Sequence, residues 1–429
     1  MIEFKELVED QLASVTDSID SDSMKVADDI VQDVSMNGEA AVRRYASKYD
    51  NLKADEPLFI EASELRASTR RIPNEDLDLL ERTGNRIRWF AEHQKSAMQD
   101  CNVNIPGAKA GHRWIPLEVA GCYAPAGRYP LPSSVLMTAI TARVAGVGHV
   151  WVASPRPCDI MLAAAAVAGA DGFLAVGGAQ AIAAFSFGLD PNLPMADVIV
   201  GPGNRYVTAA KSIVSTKTRI DMLAGPSELV VVADNDAKPE FIAADLLAQA
   251  EHDPDARPIL IAMHERLIEQ VKSELGKQIN NLPTSLVAAQ SLRSGGYIVA
   301  DSIEDAIKYC KVIAPEHLSL QGQQIEANAD RFEFGAAVFI GSMTAEVFGD
   351  YGAGPNHVLP TGGAARSHGG LSVATFMKMQ SRLQITDPLA AQSIIEDACQ
   401  LGRLEGLIGH ARSAAIRIKT DQTIPTSQP

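Results

Sequence analysis

From residue 114 onward, short runs rich in β-branched and aromatic residues alternate with alanine-rich stretches long enough to be helices. Runs at 150–153, 173–176 and 197–200 are followed by a second series at 228–233, 258–261, 296–300 and 336–340. No other feature constrains the fold as much. A strand covered on both faces needs a continuous apolar run, and a parallel neighbour can be reached only through a crossover, usually a helix. The pattern predicts an α/β chain of two units joined near Gly225-Pro226. Residues 23–100 read differently, with Val26, Ile30, Val34, Ile87, Trp89 and Phe90 at helical intervals among charges. After Leu371 no further strand is expected. Residues 374–418 read as a small helical end piece and 420–429 as a frayed tail.

Composition removes several function classes. The chain has 429 residues, 38 basic against 53 acidic side chains, and a net charge of -15. Such a chain repels phosphate backbones, and it has no basic stripe to counter that, so nucleic acid is not an expected partner. Five cysteines without a CxxC spacing argue against a disulfide framework or a thiolate metal site and favour a reducing, cytoplasmic setting. Residues 1–10 are acidic and lack the apolar centre of a secretory signal. The most apolar stretch, 161–170, is too short to span a bilayer and is expected to be a buried helix. No membrane association is expected.

Four of the nine histidines fall in short stretches that a purely structural reading leaves unexplained. Gln249 and His252 stand three apart at the end of an apolar-patterned helix, which Asp253-Pro254 stops. That spacing puts both side chains on one face of the last turn, although a helix-ending His is also a plain partner for the helix dipole. Asp350 and His357 flank a glycine- and proline-rich loop able to bring them to one point. Glu405 and His410 lie near the C-terminus, an unremarkable place taken alone. Together, Gln249, His252, Asp350 and His410 offer two nitrogen and two oxygen donors and no thiolate. That set suits Zn2+ with positions open for substrate, with Mn2+ or Co2+ as alternatives. Pro315-Glu316-His317 adds an adjacent acid and base that can share a pocket if they sit in a turn; a loop ion pair is the bland reading. There is no GxGxxG after a strand and no GxxxxGK[ST]. Instead, 201–204 (Gly-Pro-Gly-Asn) follows the strand at 197–200 and precedes a helix at 207–214, and 121–127 is a second loop of this sort. Glycine at such a turn lets backbone approach a ligand at a helix N-terminus.

In order along the chain, the stretches 121–137, 178–183, 201–204, 221–228, 245–252, 315–318 and 349–361, with Glu405 and His410, resemble the histidinol dehydrogenase family. The resemblance runs from about residue 25 to 418. It implies a zinc- and NAD-dependent enzyme of histidine biosynthesis that oxidises a primary alcohol, L-histidinol, through the aldehyde to the carboxylate in two hydride transfers. The zinc ligands would be Gln249, His252, Asp350 and His410. His317 would be the base and Glu316 would activate water. Ser227, His357 and Glu405, together with the four ligands and His317, would hold the substrate, and Tyr123, Gln180 and Asn204 would hold NAD. The implied fold is two incomplete Rossmann-like domains with small helical terminal pieces in an intertwined homodimer. The implied division is 1–22, a helical N-terminal piece; 23–122 with 228–372, a larger domain; 123–227, the NAD side; and 373–429, a helical dimerisation piece. The last of these would complete the partner's site.

Some positions depart from the family pattern. Ala126 stands in place of a glycine, Thr141 in place of a proline, and 367–370 and 378–381 differ from the usual residues. A similar family, sulfopropanediol 3-dehydrogenase, oxidises a sulfonated diol such as 2,3-dihydroxypropane-1-sulfonate, and His112, Arg113, Arg128 and His368 are cationic candidates for a sulfonate. Glu405, an acidic partner for a cationic substrate, points back to histidinol. Glu316 and His317 argue against a non-catalytic binding protein on the same scaffold.

Overall fold

The alternation resolves into three sheets in a computed structural model that describes residues 3–12, 19–126 and 129–417. The strands are β1 (Phe59–Glu61), β2 (Cys101–Ile105), β3 (Ala108–Pro116), β4 (Val119–Tyr123), β5 (His149–Ala153), β6 (Gly172–Leu174) and β7 (Val198–Val200). They continue with β8 (Arg219–Ile220), β9 (Glu228–Ala233), β10 (Arg257–Ala262), β11 (Gly296–Val299), β12 (His317–Gln321), β13 (Ala337–Ile340) and β14 (Met377–Ile385). The chain divides into a larger unit, Met1–Lys95 with Leu117–Phe376, and a smaller one, Ser96–Pro116 with Met377–Pro429.

The larger unit holds two mainly parallel sheets. The first has the order β1-β6-β5-β4-β7-β8, with only the edge strand β1 antiparallel. The short α1 (Glu9–Leu12) belongs with the second sheet. The long α2 (Ser21–Tyr45) packs with α7 (Gly178–Phe187) and α8 (Arg205–Val214) over Tyr123, Leu174 and Ile199 of the first. Between these in the chain come α3 (Ala62–Ser68), α4 (Asn74–Ala97), α5 (Pro132–Ala145) and α6 (Asp159–Ala168). Helices α5, α6 and α3 form one packed layer, with α5 against β4 and β5.

The second sheet, β11-β10-β9-β12-β13, is parallel throughout. One face buries Leu229, Val231 and Leu260 under α9 (Pro239–Ala250), α10 (Glu265–Gln278) and α11 (Ser285–Ser294). The other buries Val230, Ile259, Ile261, Leu318 and Leu320 against α12 (Ile303–Ile313) and the N-terminal Leu7 and Leu12. Cover on both faces is why these strands read as unbroken apolar runs. The short α13 (Gln323–Glu326) and α14 (Val347–Asp350) complete this unit. No described helix is long and apolar enough to cross a membrane.

Residues 317–321 form β12, paired with both β9 and β13 inside the sheet. One expectation is corrected: the C-terminal piece, read as helical with no strand after Leu371, is not wholly helical. Strand β14 pairs along nine residues with β3, and β3 with β2, beside the packed helices α15 (Gln392–Leu404) and α16 (Ile408–Ala415). Met377, Met379, Leu383 and Ile385 alternate with Lys378, Gln380, Arg382 and Gln384, a period-two signal present in the sequence, although almost all of these side chains are exposed. Strand β4 lies in the first sheet, α2 packs on that same sheet, and residues 96–116 join 377–429 in the smaller unit. The described tail ends at Arg417, so the segment 420–429 lies outside the described residues.

Candidate active site

In the second sheet the chemistry gathers where its strands begin. His317 is the first residue of β12, in register with Leu229 of β9 and Ala337 of β13. Its neighbours are therefore Glu228 at the start of β9 and Glu316 just before β12. The His317 Nδ1–H donates to the Glu228 carbonyl at 3.2 Å, and the Glu228 N–H donates to Glu316 Oε2 at 2.9 Å. The first contact keeps the proton on Nδ1 and leaves Nε2 as the basic nitrogen. Glu316 Oε2 lies 3.6 Å from His317 Nδ1, so the adjacent acid and base do share a pocket, through a strand start rather than a turn. Both side chains are buried. Burial lowers the imidazole to about 4 and pushes the Glu316 carboxyl well above its ordinary value, with Glu228 and Asp350 adding repulsion. Burial thus favours the neutral form of His317 at ordinary pH.

The expected metal donors of this unit approach from a helix that runs back along the sheet. Gln249 lies in the last turn of α9 and is fully buried, with neither amide atom hydrogen-bonded. His252 follows that helix, and its N–H donates to the Gln249 carbonyl at 3.3 Å. Its Nε2 is 3.9 Å from Oδ2 of Asp350, the last residue of α14. His317 Nε2 stands 3.8 Å from the other oxygen of the same carboxylate. Donors that share one cation at 2.0–2.2 Å in tetrahedral geometry lie roughly 3.4 Å apart, so these separations fit with small adjustment. An amide with no partner in the interior also fits a missing ligand-bound state. The donor set therefore suits a borderline divalent cation.

His357 turns back onto the site. Its Nδ1–H donates to the Asp350 carbonyl at 3.0 Å, and Nε2 lies 3.3 Å from Ser134 Oγ in the first turn of α5. Thr141, the departure from proline, keeps α5 regular. Its hydroxyl donates to the Met137 carbonyl at 2.6 Å and accepts from Asn356 Nδ2 at 3.3 Å, next to His357. Ser227 immediately precedes β9, and its carbonyl accepts the Arg257 N–H at 2.9 Å.

The residues expected to hold the nucleotide lie elsewhere, where strands of the first sheet end. Tyr123 closes β4; its hydroxyl accepts the Gly178 N–H at 3.2 Å, and burial raises the phenol to about 12. Gln180 is buried at the start of α7 and donates to Asp50 Oδ2 at 3.2 Å, which also accepts the Gly177 N–H at 3.0 Å. Asn204 caps α8, accepting from the Tyr206 and Val207 N–H groups. The loop before it is pinned. Asp221 accepts the Gly201 N–H at 2.7 Å and pairs with the buried Lys211, which donates to the Gly201 carbonyl at 2.9 Å.

Glu405 and His410 belong to the smaller unit, where with Leu401, Ser413 and Arg417 they line one hollow. His410 is exposed there. Of the cationic candidates for a sulfonate, His112 and Arg113 lie on β3 of that unit, and His368 is exposed with Nδ1 2.8 Å from Ser367 Oγ. Arg128, like Gly127 of the 121–127 loop, lies outside the described residues.

Sequence reasoning missed one residue of the cluster. Glu346 is fully buried, neither of its oxygens has a hydrogen-bond partner, and Oε1 is 3.6 Å from His317 Nε2. Desolvation and repulsion from Asp350 and Asp245 hold its carboxyl far above the ordinary range. The spacing to Asp350 was the available signal, because residues four apart share a helix face. Among the described residues, His317, Glu346 and Asp350 are the group whose donor atoms lie within 4.8 Å of one another.

A buried imidazole beside nitrogen and oxygen donors on parallel sheets can serve proton transfer next to a cation, and comparison with known proteins defines the class. The family model for histidinol dehydrogenase matches residues 14–418. The chain is 42% identical to histidinol dehydrogenase of Parasynechococcus marenigrum, covering 91% of this chain and 90% of that one. It is 40% identical to that of Thermus thermophilus, covering 93% and 96%. The crystal structure of histidinol dehydrogenase from Elizabethkingia anophelis superposes with a TM-score of 0.89 at 32% identity, covering 95% of both chains. The chain is an NAD-dependent oxidoreductase. It belongs to the histidinol dehydrogenase family.

Proposed function

We propose that this enzyme oxidises L-histidinol to L-histidine through histidinal, passing two hydrides in turn to NAD at a zinc site. The observation that carries this reading is His317, buried and neutral, with Nδ1 bonded to the Glu228 carbonyl and Nε2 turned toward Asp350. In that orientation Nε2 accepts the proton of the substrate hydroxyl and, after the first hydride leaves, that of the hydrated aldehyde. Glu316, held by the Glu228 N–H, takes the proton from the water that adds to the aldehyde. Gln249, His252 and Asp350, with His410, would hold the zinc, which when bound supplies Lewis-acid charge and a fixed point for the substrate. Ser227 and His357 lie at the same strand starts and helix end and would orient the substrate, with Glu405 answering its cationic amine. Tyr123, Gln180 and Asn204, at the carboxyl ends of the first sheet's strands, occupy the position where open α/β sheets take nucleotides.

The smaller unit completes the reading as a homodimer in which Glu405 and His410 serve the partner's site. Its helices expose Leu401, Leu404, Leu407 and Ile408 around those two residues, an apolar surface of the kind that marks an interface.

The test is NADH formation with histidinol, abolished by a chelator and restored by Zn2+, beside 2,3-dihydroxypropane-1-sulfonate as comparator. Faster turnover of the sulfonate would overturn the substrate assignment. His317→Ala should lower kcat by roughly 100-fold or more with metal content unchanged, whereas His252→Ala should lose the metal. Wild-type rates and metal content in both variants would refute the assigned roles.

A further inference from the structure

The turn that ends α2 aims one acid at the nucleotide-side residues of the first sheet. The π-helical turn Ala46–Asp50 continues α2, and Asn51 closes it in the left-handed region at φ 57, with the Leu52 N–H donating to the Ala46 carbonyl at 3.2 Å. Such turns are wider than an α-helical one and recur at functional sites. Its last residue, Asp50, is buried, with 6% of its surface exposed. One oxygen, Oδ2, accepts both the Gly177 N–H at 3.0 Å and Gln180 Nε2 at 3.2 Å. We infer that Asp50 is a positioning residue of the nucleotide site: it fixes which end of the Gln180 amide faces the bound NAD. The inference rests on the proposed role of Gln180.

Three observations carry this. An ionised carboxylate only accepts hydrogen bonds, so the Gln180 NH2 must face Asp50 and its carbonyl oxygen must face away. Burial raises the Asp50 carboxyl, and the bonds from Gly177 and Gln180 and the charge of the exposed Arg156 oppose that rise. Next, the amide lies over Gly178, where a Cβ would stand 2.8 Å from Oε1 and 3.1 Å from Nε2, so the glycine makes room for it. Finally, two backbone donors at the start of α7 are already taken, that of Gly177 by Asp50 and that of Gly178 by the Tyr123 hydroxyl. A helix start commonly offers such donors to an anion, and here they are spent. What Gln180 presents instead is an acceptor oxygen, suited to a ribose hydroxyl or an amino group of NAD and not to its phosphates.

Calorimetric titration of the zinc-loaded full chain with NAD, beside steady-state kinetics with histidinol, tests this. Asp50→Asn keeps the size of the side chain and an oxygen for the Gly177 N–H, but no longer dictates which end of the Gln180 amide it meets. Gln180→Ala should weaken NAD binding about 10-fold and Asp50→Asn roughly 3–10-fold, the loss of one well-aimed hydrogen bond. The KM for NAD should rise by the same factor while kcat and the KM for histidinol hold, which a loosened fold would not reproduce. In the double variant the asparagine should add nothing to the Gln180→Ala loss, because Asp50 acts through that side chain. Asp50→Glu, which keeps the carboxylate, should recover part of the affinity. Thermal melts establish folding, and Asp50→Ser takes the place of the asparagine variant if that one does not fold. Unchanged NAD affinity in Gln180→Ala would remove Gln180 from the nucleotide site and the inference with it. Weakened binding there with unchanged binding in Asp50→Asn, or additive losses in the double variant, would overturn the inference alone.

Discussion

At the scale of single residues, burial sets the protonation of the site. The His317 imidazole is held near 4 against an ordinary value of 6.5 because its charged form has no water around it. Between those values the unfolded chain binds the proton that the folded chain refuses. The contribution is therefore fully present above pH 6.5 and lost as pH falls through 4. In the metal-free protein, His317→Gln should be less sensitive to acid than the wild type. The stability gap between the two should move by about 2–3 kcal/mol in the variant's favour between pH 7 and pH 4.5, read from urea melts. A gap that stays constant would mean that His317 titrates normally. Glu346 is the contrasting residue. Its one signal in the sequence is its spacing to Asp350, and its burial is something no spacing reveals.

At the scale of elements, strand β12 ties the site to the fold. Its Leu318 and Leu320 enter one apolar core, while His317, Ser319 and Gln321 alternate onto the other face. There Gln321 donates to Asp245 on α9 at 2.8 Å and to Ser319 at 3.1 Å, one helical turn from Gln249. Burial raises Asp245 to about 6. A raised carboxyl contributes stability that is full below its unfolded value and lost as pH rises through the folded one. Asp245→Asn keeps an oxygen for Gln321 and should stabilise the chain by about 1–3 kcal/mol at pH 8 but not at pH 4 in thermal or urea melts. No gain at pH 8 would mean that the ionised group is better compensated than its surroundings indicate. In the first sheet, Gly201 has φ +114 and a Cβ there would lie 1.9 Å from the Tyr123 carbonyl oxygen. Gly201→Ala should cost roughly 2–4 kcal/mol and weaken NAD binding measured by calorimetry. Wild-type melting and affinity would show that the loop can shift without loss.

At the scale of the whole molecule, the question is whether one chain builds a site. His317 and His410 belong to different units of the chain. If the smaller unit serves a partner, mixing His317→Ala with His410→Ala and reassembling the dimers should restore activity, because each mixed dimer carries one site free of both changes. Roughly a quarter of wild-type turnover is expected from random pairing of a twofold dimer. Activity that stays at the level of the separate variants would place His410 with its own chain's site or with none.

The sequence alone determined what composition and local periodicity can carry. Parallel sheets, buried apolar strands and the helix that carries Gln249 in its last turn follow from the pattern of side chains over a few residues, and that pattern was sufficient. It fell short at β12, which carries polar residues onto a face that is buried. In β14 an alternation of Met379, Leu383 and Ile385 with polar residues was present, yet only the backbone pairing with β3 shows that it is a strand. The convergence of His317, Glu346 and Asp350 and the pinning of Gly201 by Lys211 and Asp221 were decided by the tertiary structure alone. Distances across a sheet depend on which strand starts lie side by side, and removal from water depends on what covers them; neither is a property of neighbours in the chain.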